Sequence, residues 1–417
     1  MKKIIHAFLL AGLIFALWTG CKSKPDATDG ESGGIRDIFA GVANVFILLE
    51  DDSLWGAGYR SADLFGQGEP VHGDQAASIR VARIKDDASS PFTGARAVAA
   101  GENHTVILKD DGTLWGAGSS ANGELGQASD NVPPFTALKN GGAPLSGVKT
   151  AAAGNDSTFY VDNGGSLWAA GYNYYGELGL GNRDTQKSFA RVDSAGQNVK
   201  AIAAGIRHTV VLKENGAIMA AGYNFNGQLG LGDGADRDSF TEVSGAGSDI
   251  AAVAAGNYHT VILKNDGSVW AAGSNYWGQI GFADNADRSN FARVTDENGG
   301  PLTGVREIAA RGDITVLLKS DGSMLLAGSF NTPSEIDYNA IVDEDGQSAE
   351  KSSFVPLVPE QGASVKFGEV RKIVLGYNSV YVITSDNRLW AAGSNRYGQL
   401  NVDTDSGASS TLRLIEF

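Results

Sequence analysis

The chain has one cysteine, Cys21, in 417 residues. A single thiol forms no intramolecular disulfide and builds no thiolate-ligated zinc or iron–sulfur centre. Prolines number only ten, too few for a disordered or linker-like chain. Long apolar runs are lacking as well. The main one, Ile4–Leu17, is interrupted by His6 and Gly12, and it falls short of the ~20 residues that a membrane-spanning helix needs. Positive charge is in deficit, with 33 Lys and Arg against 48 Asp and Glu and a net charge of −15. Such a chain repels phosphate backbones and anionic lipid surfaces, which argues against nucleic-acid binding and against direct docking on a membrane. The sequence also has no Ser/His/Asp arrangement, no phosphate-cradling glycine loop and no His-Glu-x-x-His helix. Carboxylates are abundant enough to leave a glycosidase-type pair open, although nothing points to one.

Glycine is plentiful, at 56 residues, and it is ordered. The stretch Ala254–Gly281 holds Gly256 and Gly273, seventeen residues apart, with alternating apolar residues and Asp266-Gly267 between them. An Asp-Gly pair between alternating runs predicts a hairpin, here His259–Leu263 and Ser268–Ala272. The same unit recurs with its second glycine at Gly58, Gly118, Gly171, Gly222, Gly273, Gly328 and Gly393. The seventeen-residue spacing never changes, while the step between copies runs from 51 to 65 residues. The upstream glycine is kept in six copies and replaced by Arg311 in the sixth. Three residues before each second glycine stands Trp55, Trp115, Trp168, Met219, Trp270, Leu325 or Trp390. These are expected to pack between neighbouring units.

Within a repeat the pattern predicts four strands, in the fourth copy Lys200–Ala204, His208–Leu212, Ala217–Ala221 and Phe240–Val243. Matching fourth strands are read at Arg80–Ile84, Phe189–Val192, Phe291–Val294 and Leu412–Phe417. If each fourth strand paired into the following blade, the last one would close a ring against the first blade and remove its open edge.

The pattern G-x-x-H-T…D-G…W-x-A-G-x-N-x-x-G-Q-L-G resembles the repeat of the regulator of chromosome condensation family. The resemblance is fullest over Gly154–Gly181, Gly205–Gly232 and Gly256–Gly281. Copy one reads Asp51-Asp52 at its turn, and copy seven has Ser379 for His and ends Gly-Gln-Leu-Asn. It implies an all-β, seven-bladed β-propeller over residues 35–417, built from repeats of roughly 51–65 residues. A propeller hosts many activities, so the fold alone assigns none.

Residues 1–20 read as a signal peptide, with Lys2 and Lys3, the apolar run, and Gly20 before Cys21. They resemble a bacterial lipoprotein signal whose lipidated residue would be Cys21, although Trp18 stands where Leu is usual. Loss of the two lysines takes the net charge from −15 to −17. Residues 21–34 are polar and are expected to be a disordered tether. The expected location is therefore the cell envelope, with lipid as the only membrane contact.

Strands that alternate in direction bring the turns between strands one and two to the same face as the connections after strand three. That face collects Asn103, Asp156, Arg207, Tyr258 and Tyr377 from the short turns. From the longer connections it collects Tyr174, Tyr175, Phe225, Tyr276, Trp277, Arg396 and Tyr397. Tyr, Trp, Phe, Asn and Arg compose protein-binding surfaces, and Trp277 is the anchor the sequence favours. His104, His208 and His259 share one repeat position in different blades, which suits hydrogen bonding at the blade turn better than a metal. Asp403–Gly407 and Asp343–Gly346 resemble fragments of a calcium loop, but without the closing Glu they read as solvated acidic loops. The long connections Tyr59–Ser78 and Ser329–Ser353 are expected to be functional or disordered.

The expectation is a non-enzymatic, monomeric propeller without cofactor or metal, binding a protein through one loop face. A member of the wider repeat group that inhibits β-lactamases binds in that way. The family name implies a different use, nucleotide exchange on a small GTPase, which the export signal opposes. A carbohydrate-binding or carbohydrate-cleaving envelope propeller is the third reading.

Overall fold

The computed structural model describes residues 34–42, 44–58, 65, 79–86, 90–127, 129–296, 298–329, 354–359, 368–394 and 408–415. Cys21, the tether as far as residue 33, Arg396, Tyr397, both calcium-like fragments and most of the two long connections lie outside them.

Seven four-stranded antiparallel sheets follow one another along the chain. Successive first strands lie side by side, and that of the seventh sheet lies against that of the first, which closes a seven-bladed ring. The first strands line a central channel. No α-helix occurs among the described residues.

The constant spacing of the two glycines follows from one hairpin register. In blade five, His259–Lys264 and Val269–Gly273 pair with His259 opposite Gly273. The turn between them is closed by the N–H of Gly267, which donates to the carbonyl of Lys264 at 3.0 Å. Gly267 has φ 78°, the left-handed residue that completes a three-residue loop. Asp52 and Asn387 take the same conformation, with φ 64° and 60°, where blades one and seven have no glycine. Asp and Asn tolerate it better than other side chains. At the other end, Gly256 donates to the carbonyl of His259 at 2.9 Å. The His259 ring occupies the space that a Cβ at Gly256 would need. Both glycines thus sit at one end of the hairpin, and an inserted residue would slip the register and reverse every face. Blade six departs from this plan: its first strand continues to Arg311, and Gly312, φ 59°, makes the turn.

Seven apolar clusters form the core, each shared by two neighbouring blades. Trp55, Trp115, Trp168, Met219, Trp270 and Leu325 each pack against one such cluster, and Trp390 is buried within another. The expected packing role is what the structure shows. Exposed indole edges find nearby acceptors, Ser53 Oγ for Trp55 at 2.8 Å and Asp162 Oδ2 for Trp168 at 2.9 Å.

Two expectations change. The fourth strands lie a few residues upstream of their predicted places, at Gln186–Arg191, Arg237–Glu242, Arg288–Arg293 and Ala408–Ile415. They form the outer edge of each blade, and in blade five only Phe291 of that strand is buried. A strand with so little apolar alternation leaves no register in the sequence. Closure by an exchanged strand is also overturned: each sheet is four consecutive strands, and Ala408–Ile415 pairs with Leu389–Ser394 of its own blade. The seventh blade meets the first through side chains and a backbone bond, in which Tyr377 N–H donates to the carbonyl of Gly41 at 3.3 Å. Arg371 donates to the carbonyl of Ile35 at 2.7 Å, and Lys372 pairs with Asp37.

Candidate protein-binding face

In blades two to six the turn after the first strand and the connection after the third strand are hydrogen-bonded together. Tyr172 N–H donates to Asp156 O at 2.9 Å, Tyr223 to Arg207 at 2.8 Å and Ser274 to Tyr258 at 2.8 Å. Turns and connections of these blades therefore share one end of the sheet, as strand direction implies.

The connections on this face are rigid, and the repeat motif explains why. Asn173, Asn224 and Asn275 are buried, and each Oδ1 accepts an amide five residues on, from Leu178, Leu229 and Ile280. Glu177, Gln228 and Gln279 accept the backbone N–H two residues before them. A Cβ at Gly179 or Gly230 would strike Phe240 or Phe291 of the next blade. Each connection is thus clasped internally and seated on its neighbour.

Projecting from these supports are Tyr174, Phe225 and Tyr276, which are 61%, 75% and 70% exposed. They hold one repeat position on three consecutive blades, three residues after the second glycine, where blade two has Ala121. Behind them runs a chain of ring contacts. Tyr174 meets Tyr175 at 5.1 Å, Tyr175 meets Tyr223 at 5.0 Å, and Tyr223 meets Tyr258 at 5.9 Å. Tyr172 stacks with Tyr174 and Tyr223 with Phe225, both at 6.4 Å. Arg207 lies 4.7 Å from the Tyr175 ring and donates to its hydroxyl at 2.6 Å.

Most of the expected face residues are thus brought together. Asn103 lies on the same face in blade two, its carbonyl accepting from Ser119 N–H at 2.7 Å. Tyr377 stands beside the channel mouth and accepts from Asn257 Nδ2 at 2.9 Å. Trp277 differs from expectation, since it is half-buried with its ring edge-on to Tyr276 at 4.7 Å. Tyr276 is the exposed ring of that pair. Sequence reasoning missed Tyr172 and Tyr223, which the Gly-Tyr-Asn shared by copies three and four would have marked.

Carboxylates surround Arg207. Burial raises the pKa of Asp156, with the Glu102 charge adding to it, and pushes Glu177 up to about 7. Asp313 is likewise pushed up to about 6 by burial. Perturbed carboxylates mark candidate catalytic groups. Here Glu177 does the same work on a loop amide that neutral Gln228 and Gln279 do next door, so its role is structural. His104, His208 and His259 are buried at separate blade interfaces and contact Thr158, Thr260 and Thr315 of the following blade. Among the described residues, no three His, Cys, Asp or Glu side chains are placed to hold a metal ion.

The regulator of chromosome condensation repeat matches this chain over residues 95–124, 164–212, 199–228, 215–263, 250–279 and 370–399. The chain is a seven-bladed propeller that carries regulator of chromosome condensation repeats at these positions. The ultraviolet-B receptor UVR8 of Arabidopsis thaliana is 25% identical over 333 residues, 79% of this chain and 72% of that protein. The X-linked retinitis pigmentosa GTPase regulator homolog of Caenorhabditis elegans is 32% identical over 201 residues, 48% of this chain but only 13% of its own length. Among solved structures, human WBSCR16 superposes with a TM-score of 0.68 at 18% identity, covering 88% of this chain and 95% of that one. The structure of Kap60 bound to yeast RCC1 (Prp20) gives 0.66 at 17% identity, covering 96% and 91%. At these identities the likeness of the solved structures is one of fold.

Proposed function

We propose that this repeat propeller is a non-enzymatic binding protein that engages a protein partner through its loop face, and that it is exported and held at the bacterial cell envelope by lipid on Cys21. The observation that carries the reading is the row of exposed rings at Tyr174, Phe225 and Tyr276 on clasped, pre-positioned loops. Large rings on a rigid support lose little entropy on binding, which is why aromatic residues dominate interface energetics. Propellers of similar fold have been studied with Kap60 and for binding to Gsp1p and histones, so protein recognition is an established use of such a ring. The partner is to be captured by cross-linking in intact cells. Phe225→Ala should then weaken its binding by about 2 kcal/mol, roughly thirtyfold, with the melting temperature unchanged. Unchanged affinity would remove the arc from the interface. A small GTPase as the captured partner would turn the reading toward nucleotide exchange.

Anchoring rests on Lys2, Lys3, the Ile4–Leu17 run and Gly20-Cys21. Metabolic labelling with a palmitate analogue is expected to mark the wild type and leave Cys21→Ala unlabelled. Equal labelling, or wild-type protein free in the medium, would contradict lipid attachment.

A further inference from the structure

Arg311 ends the first strand of blade six, at the place where the other six repeats have glycine. Its side chain crosses the central channel, and Nη2 donates to the carbonyl of Ala100 in blade two at 2.7 Å. The wall around it is made largely of alanine, including Ala99, Ala153, Ala204, Ala255 and Ala310. The other cation lining the channel, Lys372, is paired with Asp37. No carboxylate among the described residues forms an ion pair with Arg311, and the ionisable groups that interact with it are the Tyr377 hydroxyl and the buried His104. Arg311 is half-buried in the channel, and a partly desolvated guanidinium is normally paired with a counter-ion. Of its five donors, one engages Ala100.

The small recess above Arg311 is lined by Asn155, Asn257 and Tyr377. Tyr377 accepts from Asn257 and keeps its own proton to donate. The acids near this mouth are already engaged: Asn155 bonds Glu102 and Asp156, and Asn257 bonds Asp313 at 3.3 Å. The void enclosed by the first strands amounts to about 140 Å³.

We infer that the channel at Arg311 is a binding site for a single carboxylate carrying a short apolar tail. The planar guanidinium fork matches the two oxygens of a carboxylate. Alanine walls suit an apolar tail and offer little to the many oxygens of a phosphate. The Tyr377 hydroxyl supplies a further donor at the mouth. The carboxylate belongs either to a free short-chain acid or to the C-terminus of another polypeptide.

Calorimetric titration of the full chain distinguishes these sources. The probes are butanoate against butanol, and trialanine with a free carboxylate against its C-terminal amide, at concentrations up to about 20 mM, enough to saturate a millimolar site. At least one carboxylate should bind ten times more tightly than its neutral counterpart. Butanoate alone identifies a small acid and trialanine alone identifies a chain terminus. Arg311→Gln and Arg311→Gly, the second restoring the glycine of the other repeats, should each lose at least tenfold, with melting curves recorded to verify folding. Failure of both carboxylates on the wild type would overturn the proposal, as would equal binding of their neutral counterparts. A folded Arg311→Gln with wild-type affinity would do the same.

Discussion

Replacing Gly273 with alanine is expected to destabilise the fold by about 4 kcal/mol or more. Gly273 has φ 105°, a conformation that L side chains rarely adopt. A Cβ there would press on the carbonyl oxygen of Tyr258 and stand 2.6 Å from the Cα of His259. Both obstacles are backbone, so no rotamer change relieves them. They also belong to the turn that joins this hairpin to the loop face. Gly245 is the control, since a Cβ there meets nothing within 4 Å, and Gly245→Ala should change stability by less than about 0.5 kcal/mol. Urea midpoints compare the two. Equal midpoints would show that the second glycine of the repeat is not held by geometry.

The second large effect is a pH dependence that arises at the blade interfaces. His208 Nε2 lies 3.1 Å from Thr260 Oγ1, and that hydroxyl donates to the carbonyl of Gln228 at 2.7 Å. The histidine must therefore donate from Nε2, which leaves Nδ1 as a buried atom without a partner. Burial lowers the pKa of His104 and His208 from 6.5 to about 4, and that of His259 to about 3. A folded-state pKa below the unfolded value means stability that is complete above pH 6.5 and is lost as pH falls toward 4. Each histidine contributes on the order of 3 kcal/mol to that loss. Glu177 and Glu307, raised from 4.5 to about 7 by burial, act in the opposite sense, adding stability as pH falls through 7. The histidine effect is isolated by subtraction. His208→Ser, which copies Ser157 and Ser379 at the same repeat position, should trail the wild type most at pH 7. That gap should narrow by about 3 kcal/mol toward pH 4. Parallel stability curves would contradict a neutral, buried histidine.

Much of the fold was legible because its rules are local. Gly256 and Gly273 are fixed by one hairpin register, and the residues three before each second glycine announce the blade interfaces. The outer strands were read late because a strand such as Arg288–Arg293 buries little and so carries no strong alternation. Ring closure was misread because strand order alone does not tell an exchanged strand from four consecutive ones. On the loop face, strand direction placed the turns and connections together. Direction and residue type did not separate Tyr276 from Trp277, since which of two adjacent rings stays exposed depends on the clasp made by Asn275 and Gln279. Arg311 was visible as a break in the glycine pattern, yet only the closed ring reveals that it spans the channel.

The central claim is that one face of the ring recognises a protein. Its most direct test is site-resolved photo-cross-linking in the producing cells. A photoreactive residue at Phe225 is compared with one at Asn215, an exposed turn position on the hairpin side of the same blade. Adducts to one discrete protein from position 225, and none from position 215, are the expected result. Adducts of that protein from position 215 alone, or equally from both, would contradict the account.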